Sequence, residues 1–155
     1  ISLGHTKISM IAGSGGPQIE RVEGYKTAMV EVGLTSSTQL SEEFSEQGGY
    51  DATKQLFARG ESPSAILAAN DLMAIGCLRA LKTLSLCVPD DVAVAGFDDI
   101  PASELVTPTL TTVRMHQQNI GAQAAKKILN RLSGSESSLW RTGPFPYEII
   151  QRNST

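Results

Sequence analysis

The chain has 155 residues, 41% hydrophobic and 19% charged, the make-up of an ordinary globular domain with material for one core. Its 13 Lys and Arg are outnumbered by 16 Asp and Glu, for a net charge of −3, and are scattered, which excludes the electrostatic footprint of a DNA- or RNA-binding surface. No stretch is long and apolar enough for a membrane span, and Cys77 and Cys87, with no CxxC and no Cys/His cluster, read as two free thiols of a cytoplasmic protein with no metal site.

The chain opens on Ile1 without the charged-then-apolar plan of a signal peptide, and so reads as a piece of a longer protein. Lys7 to Ala12 (KISMIA) is a buried strand. The breaker cluster Gly13–Gly16 follows, then a helix over 17–32 with Val22, Tyr25, Met29 and Val32 on one face and Gly33 as its stop. A weak strand lies near 39–44. A helix over 46–58 sets Tyr50, Thr53, Leu56 and Phe57 on one side. After Pro63, residues 64–69 (SAILAA) form a second buried strand. Asp71 is placed to cap a helix running to about Leu84, with Leu72, Ile75, Leu78 and Leu81 apolar. Residues 92–97 (VAVAGF) form a third buried strand, and Asp99 and Pro101 start a short helix. A β-branched strand over 110–114 leads to a helix over 117–132, with Ile120, Ala124, Ile128 and Leu132 inward. A loop over 134–138 and a closing strand over 146–151 (PYEIIQ) finish the chain.

Strands and helices alternate, and three strands are unbroken apolar runs. The fold class is therefore α/β, a parallel sheet flanked by helices on both faces. Ligands of such sheets bind beyond the carboxyl ends of the strands. Four residues stand there: Arg21 in the helix after the first strand, Phe44 after the second, Asn70 after SAILAA and Asp98 after VAVAGF. A guanidinium fork, an aromatic face, a two-way amide and a carboxylate together suit a polyhydroxylated small molecule. Local sequence alone fits other roles equally: Asn70, Asp98 and Asp99 as cap or turn residues, Arg21 as a surface charge, Phe44 as core. Ser14, near the first strand end, lies in no GxSxG elbow, GSGG lacks the spacing of a nucleotide cradle, and His5 and His116 stand too far apart in sequence to suggest a metal. No cofactor is expected.

The segments LGHTKISMIAG, RVEGYKTAM, SAILAANDLMAIGCLRALKTLSLCVPDDVAVAGFDDIP, TPTLTTVR and EIIQRNS together resemble the lactose-repressor family of bacterial transcription regulators, in family order. The resemblance covers essentially all of the chain but only the second half of a family member. It implies a periplasmic-binding-protein-like (type I) sensor over 1–155. Residues 1–109 and 144–155 would form the C-terminal subdomain, 110–132 would cross into the N-terminal subdomain, and the DNA-binding head would be absent. It further implies a sugar-like effector contacted by Arg21, Phe44, Asn70 and Asp98, with Ser14 and Pro17 nearby. A homodimer would form through Leu72, Ile75, Cys77, Leu81, Ser103 and Leu105, and DNA would be reached only through the missing head. Two departures stand out: Met115–His116 replaces a Gln-bearing continuation of TTVR, and Pro17 replaces a small polar residue. Two rivals share parts of this pattern: a sugar-binding protein serving a transporter, and an enzyme or phospho-receiver, for which nucleophile and lysine motifs are missing.

Overall fold

The computed structural model describes residues 1–16, 18–134 and 145–155. Four strands, β1 (Ile8–Gly13), β2 (Ser37–Ser41), β3 (Ala65–Ala68) and β4 (Ala93–Ala95), form one parallel sheet in the order β2-β1-β3-β4. The connections are the helices α1 (Gln18–Glu31), α2 (Glu46–Ala58) and α3 (Asp71–Thr83). Because β1 pairs with β2 on one side and β3 on the other, the chain reverses direction across the sheet at the β1/β3 boundary. That is the topological switch point, where diverging connections open a crevice at the carboxyl ends of the strands.

Local chemistry sets the element ends. Gly33 has φ +70°, and the bonds Leu34 N–H to Met29 O (2.9 Å) and Gly33 N–H to Val30 O (3.0 Å) close α1. Ser45 caps α2 by accepting from Gly48 N–H. At α3 the sequence expectation is corrected: Asn70, not Asp71, is the cap, its Oδ1 accepting from Met73 N–H at 2.8 Å, while Asp71 is fully buried in the first turn. The Tyr25 hydroxyl donates to Ile8 O (2.7 Å) and accepts from Ser37 N–H (2.9 Å), fixing the starts of β1 and β2 side by side.

The core lies between sheet and helices, around Met10, Ile11, Met29, Ile66, Met73, Leu81, Val94 and Leu110. Each such fully buried aliphatic side chain contributes about 1.5–3 kcal/mol of transfer free energy. Helices α2 and α3 pack backbone to backbone. A Cβ added at Gly49 would stand 2.2 Å from Met73 O, and one at Gly76 2.0 Å from Glu46 O.

Past β4 the chain makes a short 3₁₀ helix (Pro101–Glu104), with Pro101 at its first turn. Strand β5 (Thr112–Met115) begins beside the sheet: Thr111 bridges Ala95 in parallel, and Gly96 N–H and Asp98 N–H donate to Thr111 O and Val113 O, each at 2.9 Å. β5 then leaves and pairs antiparallel with β6 (Tyr147–Ile150). The closing strand therefore does not join the main sheet. Only the tail beyond it returns, with Val94 N–H donating to Ser154 O at 2.8 Å.

Helix α4 (Gln117–Leu132) spans the expected residues, but no residue of it is buried, and Ile128 and Leu132 are 47% and 79% exposed. Its expected inward face is thus left largely exposed by the described residues, with Ile120 half-buried. The loop expected at 134–138 lies, beyond Gly134, outside the described residues, as does Pro17.

Candidate functional site

The strand ends form one rim. In sheet order it carries Phe44 beyond β2, Ser14 beyond β1, Asn70 beyond β3 and Asp98 beyond β4. Arg21 reaches this rim from α1. One guanidinium nitrogen donates to Ala69 O at the end of β3, and another donates to Asp98 Oδ1 at 3.0 Å. The same guanidinium lies 4.0 Å from the centre of the Phe97 ring. Arg21 therefore fastens the ends of β3 and β4 across the switch point, held by two polar contacts and one ring face.

Asp98 has φ +115° and Asp99 φ +53°, two successive residues in a region L side chains avoid. Burial pushes the Asp98 carboxyl above its ordinary value despite the opposing charge of Arg21. Burial also presses on Asp99, but hydrogen bonds from Arg152 (2.7 Å) and Arg114 (2.5 Å) outweigh it and hold that carboxyl below its ordinary value. Arg152 also donates to Glu104 Oε1 and Leu110 O, and Arg114 pairs with Glu148 on β6. A chain of charges thus runs from the Asp98–Asp99 turn into the two-stranded unit.

Asn70 is only 6% exposed. Its Oδ1 is spent on the helix cap; since no buried side-chain polar atom lacks a partner among the described residues, Nδ2 keeps access to solvent. The Phe44 ring, 38% exposed, lies against Gly13, where an added Cβ would come within 3.2 Å of it. Ser14 is exposed, with its N–H bonded to Ser41 O.

Two hollows adjoin the rim. One of about 360 Å³ lies between Asp98, Asp99 and Arg114 and the start of α4 at Gln117–Asn119. The other, about 400 Å³ and mostly apolar, has Arg21, Ala69, Phe97 and Val113 in its wall. Phe44, Asn70 and Ser14 line neither. Among the described residues no cluster of His, Cys, Asp or Glu has the make-up to hold a metal ion, and no helix is long and apolar enough to cross a membrane.

The expected pairing surface is corrected in half of its members. Cys77, Leu81 and Ser103 are each fully buried within the chain, so their side chains cannot meet a second copy. Burial pushes the Cys77 thiol up to about 12, which makes it inert. Leu72 and Leu105 are exposed, Leu105 at 83%, and Ile75 is half-buried. Sequence reasoning took Asp71 only as a helix cap and passed over Phe97, Thr112, Arg114 and Arg152. Of these four only Phe97, in the GFDD block beside Asp98, carried a local signal.

Residues 1–155 match the family model of the periplasmic binding protein-like domain. The Ribose operon repressor of Escherichia coli (strain K12) is 36% identical over 137 residues, covering 86% of this chain and 42% of that protein. The HTH-type transcriptional repressor PurR of Haemophilus influenzae (strain PittEE) is 35% identical over 143 residues, covering 90% of this chain and 43% of that protein. The chain thus spans less than half the length of the curated relatives it matches. Among solved structures, a LacI family transcriptional regulator from Enterococcus faecium with bound ribose superposes with a TM-score of 0.86 at 30% identity, covering 99% of this chain and 58% of the other. The transcriptional regulator CelR in complex with cellobiose gives 0.88 at 30% identity, covering 99% and 48%. The lac repressor dimer bound to operator and the anti-inducer ONPF gives 0.89 at 27% identity, covering 99% and 54%.

Proposed function

The chain belongs to the periplasmic binding protein-like family, and from that premise we propose that it is the sensor part of a lactose-repressor-family transcription regulator, reading a small effector, sugar-like in chemistry, for a cytoplasmic DNA-binding repressor. The observation that carries the reading is the Arg21–Asp98 pair at the switch point. Arg21 holds Asp98 through Oδ1, which leaves Oδ2 to accept from a ligand hydroxyl. Asn70 holds its helix through Oδ1, which leaves Nδ2 to donate. An acceptor and a donor side by side complement adjacent hydroxyls, and the exposed Phe44 ring offers a face for an apolar sugar surface. The ion pair neutralises this wall, which suits an uncharged ligand. Ser14 stands on the same rim, and Pro17, three residues further along the sequence, is included in the proposal on the family resemblance alone.

The division into subdomains is part of the proposal: 1–109 with 144–155 as one wall, and 110–132 as the crossing into the other. The departure of β5 from the sheet and the exposure of α4 among the described residues support it. In the full regulator, effector binding favours one arrangement of the two walls, and the DNA-binding heads respond through a coupling free energy of about 1–3 kcal/mol. The domain binds rather than catalyses, and pairs with a second copy around Leu72, Ile75 and Leu105. A transporter's sugar-binding protein would share the cleft; a helix-turn-helix encoded upstream of this chain separates the two.

The test is a thermal-shift screen of the full regulator against D-ribose, cellobiose, other sugars, nucleosides and purines. A ligand at a hundredfold excess over its Kd raises stability by about 2.7 kcal/mol. The shift is expected for a neutral sugar and is expected to vanish in Asp98→Ala and Arg21→Ala. A shift that survives both substitutions would overturn the assigned site.

A further inference from the structure

Asp71 is fully buried, and among the described residues no cation pairs with it. Its carboxylate is satisfied by neutral donors. Oδ2 accepts from Ile100 N–H (2.9 Å) and from the Ser103 hydroxyl (2.7 Å). Oδ1 accepts from the Thr112 hydroxyl on β5 at 2.5 Å. The Asp71 N–H donates to Phe97 O at 2.9 Å. A buried carboxylate without a cation is an expensive way to fill a core, since an apolar side chain of the same volume needs no desolvation. Its value must lie in what it holds.

It holds both ends of one turn. Between Phe97 O and Ile100 N–H lie only Asp98 and Asp99, the two residues with φ +115° and +53°. Backbone in such regions is strained and persists only where the surroundings over-determine it. The third arm reaches β5. Thr112, bonded to Asp71, also accepts from Asp99 N–H at 3.3 Å, and Val113 O receives Asp98 N–H. Gly96 leaves no room to retreat, since a Cβ there would stand 2.2 Å from Asp71 Oδ1.

We propose that Asp71 is the positioning residue of the cleft: one carboxylate that fixes the strained turn bearing Asp98 and locks that turn to the crossover strand β5, so that displacement of either is felt by the other. Its functional half rests on Asp98 being a ligand contact, as proposed above; its structural half does not.

The test uses the full regulator and the variants Thr112→Val, Thr112→Ser and Asp71→Asn. Thr112→Val removes only the hydroxyl, and Thr112→Ser restores it. Amide hydrogen exchange over 97–100 is expected to quicken in Thr112→Val and Asp71→Asn, and to stay near wild type in Thr112→Ser, while exchange in β1 and α2 is unchanged. D-Ribose titrated by calorimetry is expected to bind Thr112→Val about tenfold more weakly or worse, the effect of a displaced contact, with most of the affinity recovered in Thr112→Ser. Unchanged exchange over 97–100 in Thr112→Val overturns the proposal, as does wild-type ribose affinity in that variant. Should the wild-type regulator take up no ribose, ribose is not its effector, and the exchange comparison of the two Thr112 variants alone decides the proposal. Should Asp71→Asn not fold, the Thr112 pair still does.

Discussion

Two adjacent carboxylates with opposite pKa shifts make the site readable by pH. Asp99, gripped by Arg152 and Arg114, titrates below the ordinary value of 3.8. The folded state therefore holds its proton less firmly than the unfolded chain. That stability is present above pH 3.8 and is lost as pH falls through the folded value. Asp98 titrates above 3.8 because burial outweighs Arg21. Its sign is reversed: the contribution is greatest below the unfolded value and declines as pH rises through the folded one. Melting curves across about pH 3 to 7 are expected to show Asp99→Asn flattening the acid-side loss, and Asp98→Asn flattening a decline on the other side. Slopes changing in the same sense for both would contradict the geometry. At this scale the sequence exposed the strand-end acids and Asn70, because such ends are marked by breaks in apolar runs. It read Asp71 only as a helix cap and was silent on Thr112. Their partners lie far along the chain, in segments whose proximity only the finished fold creates. Of the two readings weighed for Asn70, the cap is observed, its Oδ1 accepting from Met73 N–H, and the ligand contact through Nδ2 belongs to the proposal.

At the scale of elements, helices were legible where their ends carry chemistry. Residues 46–58 and 117–132 coincide with α2 and α4, and Gly33 stops α1 as its conformational freedom demands. Strand pairing was not legible in the same way. A run such as PYEIIQ says strand, but pairing with β5 rather than β4 depends on where the two crossovers meet. Nor could periodicity say whether an apolar stripe is covered: the stripe of α4 is real, and among the described residues it is left largely exposed. The glycines show the same divide. Gly24, Gly49 and Gly76 all sit inside helices, yet an added Cβ meets nothing within 4 Å at Gly24 and a carbonyl oxygen at 2.0 Å at Gly76. Gly24→Ala is therefore expected to stabilise by about 0.5–1 kcal/mol through helix propensity alone. Gly76→Ala is expected to destabilise by about 2–3 kcal/mol by prising α3 from α2. Urea unfolding at equilibrium separates the two, and equal effects would mean that α2 and α3 do not pack backbone to backbone.

The described residues form a helix-flanked sheet with a two-stranded unit running on from its β4 edge, and residues near the end of the chain close the joint between them. Ser154 is fully buried there: its hydroxyl donates to Val94 O at 2.6 Å and accepts from Thr111 N–H at 2.8 Å. It thereby pins β4, the start of β5 and the return from β6 at one point, away from Asp98 and Arg21. Ser154→Ala leaves the Thr111 N–H buried without a partner, which costs about 1–3 kcal/mol. That is the size of a typical coupling free energy between effector and DNA sites. On the proposed reading, a pin that one arrangement of the two walls uses more than the other shifts their balance by up to about that much when it is loosened. The expected result is that Ser154→Ala alters operator affinity in the absence of effector, although it touches neither ligand nor DNA. By reciprocity, operator DNA must then change effector affinity in the variant by a factor that differs from wild type. Operator titrations with and without effector measure both factors. Lower stability with both affinities intact would confine the tail to holding the fold together and leave the motion of the two walls to some other joint.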